Sequence, residues 1–218
     1  MVQNNLAKKA AAAAAPRGRP RGFDTDEVLT SARETFWKYG FDGTSMDQLA
    51  AATGLHKPSL YGAFGDKRQL YMETLRHYRA EIGIGVAEAL ALPKLSQSID
   101  LFFESTIDLF APGDGRAPGC FMFSTALTKA GADAEVVSFI QDSIGALDRA
   151  LVRRFERAIT DGELPEGADA EALGRIVSSG HGEIASRSRA GYSRAELDAL
   201  AALTIRIVKA VGGLPAAG

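Results

Sequence analysis

Cysteine, histidine and long apolar runs are what this chain has least of. One cysteine, Cys120, stands among 218 residues, which excludes an intrachain disulfide and any multi-cysteine metal site and fits a reducing compartment. The three histidines, His56, His77 and His181, lie in unrelated segments. His181 and Glu183 are two apart on a helical pattern and point to different faces, so they form neither a metal pair nor an acid–base dyad. No apolar stretch approaches the ~20 residues a membrane helix needs. The alanine-rich start, with Lys8 and Lys9 ahead of Ala10–Ala15, lacks the leucine-type centre and flanks of a secretory signal. The expectation is a cytoplasmic protein with a disordered leader and no membrane partner, cofactor, metal or catalytic residue.

What is present is ordinary in amount and uneven in distribution. Apolar content of 46% and charged content of 24% are those of a globular protein with a sizeable core. The formal net charge is −2, yet residues 1–80 carry 12 basic against 8 acidic side chains, and residues 81–218 carry 13 against 19. A basic front and an acidic remainder suit a DNA reader joined to a second domain. The run Pro16–Gly22 places Arg17, Arg19 and Arg21 on a segment that its glycines and prolines keep out of regular structure. Such an arm can enter a minor groove, where arginine reads width and potential; a solvated basic linker is the alternative.

Gly40–Leu70 organises the chain. Thr44 or Ser45 can cap a helix whose apolar side is Met46, Leu49 and Ala50, and Thr53-Gly54 stops it. A second helix of about two turns follows from Lys57 or Pro58, with Leu60 and Phe64 inward and Lys57, Ser59 and Tyr61 outward. This is a helix-turn-helix pattern, although an ordinary packed helix pair has the same spacing. Ahead of it, Asp24 with Glu27 resembles a capping box, and Val28, Leu29, Ala32, Phe36 and Tyr39 repeat at helical spacing. Trp37 beside that stripe reads as packing. After it, Asp66 caps a helix from Lys67 through Leu70, Leu75, Tyr78, Ile82, Val86 and Leu90, long enough to cross between domains. Lys67, beside free N–H groups at that helix start, is the residue best placed to meet a phosphate.

From Phe23 to Tyr78 the residues resemble the N-terminal domain of the TetR-type bacterial transcriptional regulators: Tyr39-Gly40-Phe41, Gly43-Thr44-Ser45, Ala50, Gly54-Leu55, Ser59-Leu60-Tyr61, Phe64, and Lys67 with Leu70. The resemblance implies that Thr44, Tyr61 and Lys67 contact phosphates and that Lys57, Pro58 and Ser59 face base edges. It implies also that the Arg17–Arg21 arm lies near the minor groove. Pro58 departs from the small or polar residue usual in the family and, lacking an N–H, alters how the recognition helix begins.

Beyond Leu90 the reading is coarse. Ile99, Phe102, Phe103, Thr106, Ile107 and Phe110 form the next helical face, and Gly113–Gly119 is a loop. Cys120–Phe123 opens another apolar helix, and Asp133 caps one running to about Thr160. On that helix Val136, Val137, Ile140, Ile144, Leu147, Leu151 and Phe155 are expected inward, and Arg149, Arg153, Arg154, Glu156 and Arg157 outward. Cys120 reads as a small core residue, with redox sensing as the alternative.

Phe102, Phe103, Phe110, Phe121, Phe123 and Phe139 are enough to line an apolar cavity, with His181, Thr125 and Arg187 as polar anchors; plain core is the alternative. The resemblance implies a small-molecule effector there. Small residues from Ala168 to Ala190, among them Gly174, Ser178, Gly182 and Ala185, suit close helix approach, with a frayed or broken helix as the alternative. The resemblance implies that this helix and the Ala/Leu/Ile-rich one from Arg194 to Val211 form the homodimer interface.

The expected fold is all-α: a disordered basic arm (1–22), a three-helix helix-turn-helix DNA-binding domain (23–68), and a larger helical ligand-binding and dimerisation domain (69–218) entered by a connecting helix (69–90). The expected function is a ligand-responsive transcriptional regulator, in particular a repressor released from double-stranded palindromic operator DNA by a small apolar ligand and associated with the bacterial nucleoid when bound. An all-α enzyme using the aromatic pocket and an architectural DNA binder without ligand are the rival readings.

Overall fold

The computed structural model describes residues 23–111, 119–127 and 133–212. Eight α-helices are found among them: α1 Thr25–Tyr39, α2 Met46–Thr53, α3 Lys57–Phe64, α4 Lys67–Ala91, α5 Leu95–Phe110, α6 Ala134–Thr160, α7 Ala170–Arg189 and α8 Arg194–Val211. A π-helical turn, Met122–Ala126, stands between α5 and α6, and no strand occurs among the described residues.

The helix starts follow local chemistry. Asp24 accepts from the N–H groups of Asp26 and Glu27, which caps α1 without the reciprocal Glu27 bond of a full capping box. Ser45 and Asp66 each form a full box, with Gln48 and Gln69 respectively, so Ser45 caps α2. Asp133 accepts from Glu135 and Val136 and starts α6. Gly40 ends α1 at φ 71°, and Gly54 ends α2 in the left-handed region at φ 68°, a conformation that excludes most side chains.

A single buried cluster runs from Val28 in α1 to Val208 in α8. α4 passes unbroken through it and packs on α1, α5 and α6, meeting the start of α6 through Arg68 and Arg76 in its first half. Trp37 packs edge-on against Tyr78, and Phe121 fills the space beside Tyr71 and Tyr78. Cys120 is buried with its sulfur 3.8 Å from the Tyr78 hydroxyl, and burial pushes its thiol up, away from the reactive thiolate.

Several expectations are corrected. Tyr39 and Ile144 are exposed: each lies at the margin of its helix's apolar stripe. The segment after Cys120 is a π-helical turn and not a regular α-helix. Arg154, expected outward, is buried and joins α6 to the α4–α5 junction. Its Nε donates to Ser98 Oγ at 3.2 Å, and its Nη2 lies 3.3 to 3.4 Å from the carbonyls of Leu92 and Pro93 and from Glu163 Oε1. Arg157 adds donations to the carbonyls of Leu90 and Leu92. The C-terminal carbonyls of α4 that Pro93 leaves unpaired are thus satisfied by two arginines.

Candidate DNA-binding surface and ligand cavity

The helix-turn-helix is formed as its spacing predicts. Leu49, Leu60 and Phe64 are buried, and Phe23 meets Phe64 at 6.2 Å between ring centroids. α3 presents His56, Pro58, Ser59, Tyr61 and Gly62 to solvent, Tyr61 being 49% exposed. Pro58 is the second residue of α3, where the first-turn N–H groups have no partner in the helix, so the ring removes no helical hydrogen bond. Lys57 is half-buried and pairs with Asp47 at 2.6 Å, tying the starts of α2 and α3 together. His56 and Gly62 escaped the sequence reading. Both sit on the outer face, and nothing lies within 4 Å of where a Cβ on Gly62 would be.

Two of the expected phosphate contacts have other partners. Thr44 is 2% exposed and its hydroxyl donates to the Gly40 carbonyl at 2.6 Å. The Lys67 ammonium donates to the carbonyls of Phe41 and Thr44 at 2.9 and 2.8 Å and sits 4.4 Å from the centre of the Phe41 ring. Lys67 therefore fastens the start of α4 to the α1–α2 turn. Arg17, Arg19 and Arg21 lie outside the described residues.

One residue further on, Arg68 grips Asp133 through Nε at 2.6 Å and Nη2 at 2.8 Å, and reaches Glu135 at 2.8 Å. Arg76 joins the same Glu135 at 2.9 Å. The Arg68 guanidinium holds the Asp133 carboxyl down at about 2. Asp133 thus caps α6 and holds the end of α4 next to the helix-turn-helix at once. Nothing in the sequence signalled this pairing across 65 positions.

A cavity of about 670 Å³ lies between α4 and α6. Ile82, Val86, Leu90 and Leu147 wall it, Met122, Phe123, Ser178 and His181 floor it, and Arg79, Arg153, Arg154 and Arg157 complete its lining. A smaller cavity of about 220 Å³ lies between α4 and α5, lined by Phe102 and Phe110, and shares Ile82, Val86 and His181 with the first. His181 packs 5.4 Å from Phe110 and 5.7 Å from Phe102, and burial lowers its pKa to about 4, so it is neutral at physiological pH.

Of the aromatic residues expected on the cavity, Phe123 lines the larger one and Phe102 and Phe110 the smaller. Phe103, Phe121 and Phe139 are core: Phe103 packs on Phe102, Phe121 on three other rings, and Phe139 under Arg79 at 4.6 Å. Thr125 is buried 2.8 Å from the Tyr71 hydroxyl, and Arg187 pairs with Glu183; neither lines these cavities. The four cavity arginines were missed as such. Their clue was position: Arg154 continues the seven-residue spacing of Ile140 and Leu147.

The small residues of α7 also find partners within the chain. Gly174 lies against the Val152 backbone, where a Cβ would come within 3.0 Å of the amide nitrogen, and Ala185 is buried. Both are thus packed within the chain, and Ser178 faces the cavity. Gly182 has open space above it.

The sequence profile described as bacterial regulatory proteins, tetR family, matches residues 28–74. An HTH-type transcriptional regulator of Bacillus subtilis, YezE, is 32% identical over 164 residues, 74% of this chain and 84% of its own length. The chain belongs to the TetR family of bacterial transcriptional regulators. The transcriptional repressor ComR of Escherichia coli is 27% identical over 193 residues, 88% of this chain and 91% of its own. Among solved structures, a cysteine mutant of the TetR-family regulator CifR complexed with 26bp double-strand operator DNA superposes with a TM-score of 0.75 at 30% identity, covering 88% of this chain and 99% of that one. The family consists of regulators, which removes the enzyme reading. No helix among the described residues is long and apolar enough to cross a membrane.

Proposed function

We propose that this TetR-family regulator is a cytoplasmic, homodimeric repressor that leaves a palindromic operator when a small molecule fills the α4–α6 cavity. The observation that carries the reading is the double attachment of α4. Its first two residues hold the α1–α2 turn through Lys67 and the α6 cap through Arg68, while Ile82, Val86 and Leu90 of the same helix wall the cavity. A ligand that displaces the second half of α4 moves the first half, and α3 with it. Two recognition helices must meet half-sites at a fixed spacing of about 34 Å or a multiple of it, so a shift of a few ångströms breaks simultaneous docking.

Ser59, Pro58 and Tyr61, with His56 and Gly62, form the surface offered to the major groove, and the Arg17–Arg21 arm is the minor-groove partner. For the dimer, Leu203, Ile207 and Val211 make an exposed apolar stripe at four-residue spacing on α8, which a second copy would cover.

Footprinting on the DNA upstream of the chain's own gene tests this. Two equal protected half-sites in adjacent grooves are expected, and Leu203→Glu, whose expected monomeric state light scattering checks, should lose both together. Protection of a single half-site, or protection by the monomeric variant, contradicts the dimeric reading.

A further inference from the structure

The larger cavity is apolar along its walls and basic at one end. α4 and α6 run parallel beside it, with Arg68 on Asp133 near their starts and Arg157 on the Leu90 and Leu92 carbonyls near their ends. From Arg79 to Ala91, its limits along α4, the helix rises about 18 Å. At the Ala91 end Arg153, Arg154 and Arg157 all line the cavity within one and a half turns of α6. Glu163, 3.3 Å from Arg154 Nη2, is the acidic partner there.

Arg154 is the informative group. Its side chain is 1% exposed, and its Nη1 is buried with no hydrogen-bond partner among the described residues. Burial and the charge of Arg157 both lower its pKa, as expected of a cation held at positive potential. A buried, charged donor left unpaired is unfavourable, and a purely apolar ligand would leave it so. Arg79 at the other end is already engaged, over the Phe139 ring and 3.5 Å from Ser143 Oγ.

We infer that the cavity takes an elongated amphiphile with one anionic head, a carboxylate or a phosphate monoester. The head meets the exposed Arg153 and, once it displaces the atoms that cover it, Arg154 Nη1, and the tail runs past Val86, Ile82 and Leu147 toward the neutral His181. Planar guanidinium groups suit both oxyanions. This rests on the reading of the cavity as the effector site and specifies its ligand class.

The test uses the full-length protein, with neutral Nile red as a reporter of cavity occupancy. Dodecanoate, dodecyl phosphate, 1-dodecanol and dodecyltrimethylammonium are titrated below their micellar concentrations. At least one anion should displace the dye about tenfold more effectively than the alcohol, with the cation weakest, and the better anion names the head. Because Arg154 also holds the α4–α5 junction, the variants are Arg153→Glu and Arg153→Gln at the exposed position. Both should lower anion affinity and leave the alcohol unchanged, with Glu the more severe. Equal displacement by alcohol and anion, or equal loss of both in the variants, overturns the anionic head while leaving the effector cavity in place. Failure of the dye and all four amphiphiles to bind overturns the cavity reading and this inference with it.

Discussion

Lys67 shows how one side chain can be assigned two different jobs. By sequence position it stands beside free N–H groups where a phosphate would sit, but its ammonium is held by two carbonyls and the Phe41 ring. As a strut its loss loosens the α1–α2 turn. Lys67→Ala should lower the melting temperature and leave the salt dependence of DNA binding nearly unchanged. A fall of about one unit in the log–log salt slope with no loss of stability would instead make it a phosphate contact. His181 carries a second residue-scale prediction. Its pKa is lowered to about 4 by burial, so the folded state binds fewer protons than the unfolded state between about 6.5 and 4. The contribution is fully present above about pH 6.5 and lost as pH falls toward 4, to a limit on the order of 3 kcal/mol. Denaturant titrations of wild type and His181→Phe should diverge over that window. Parallel curves would show that the imidazole titrates freely.

Among the elements, α4 joins the helix-turn-helix to the cavity, and its grip on α6 is the bidentate Arg68–Asp133 pair. Arg68→Ala and Asp133→Asn should each retain operator binding, measured by fluorescence anisotropy of a labelled duplex, while blunting release by a cavity ligand. Since the two side chains form one contact, the double variant should behave like either single one. Additive effects would place the coupling elsewhere. The elements themselves were legible because their signals are local: the caps at Ser45 and Asp66, Gly40, Gly54, and the apolar spacing of α1 to α5 all appear in short windows. The reciprocal boxes with Gln48 and Gln69, in contrast, formed where only caps were read, and the box expected at Asp24 did not form. The Arg68–Asp133 pair and the Arg154 bonds to the α4–α5 junction depend on how distant helices meet. The cavity was only half legible for a related reason. Aromatic residues at helical spacing look alike whether they line a cavity or fill a core, so Phe123 could not be told from Phe121 and Phe139. Gly174 was likewise ambiguous between a close neighbour in the same chain and one in a partner.

At the scale of the whole molecule, the proposal is that occupancy between α4 and α6 sets the distance between two α3 helices. Cys120 is the chain's single cysteine and is buried, so a nitroxide can be placed selectively at the exposed surface position Ala52→Cys on α2. Double electron–electron resonance between the two protomers then reports the separation of the DNA-reading units directly. On the footprinted operator the distance distribution should be narrow. Once a cavity-binding amphiphile such as the tighter of dodecanoate and dodecyl phosphate is added, the separation should shift by several ångströms as DNA is released. Release of DNA with the separation unchanged, or cavity occupancy that alters neither, would contradict the account.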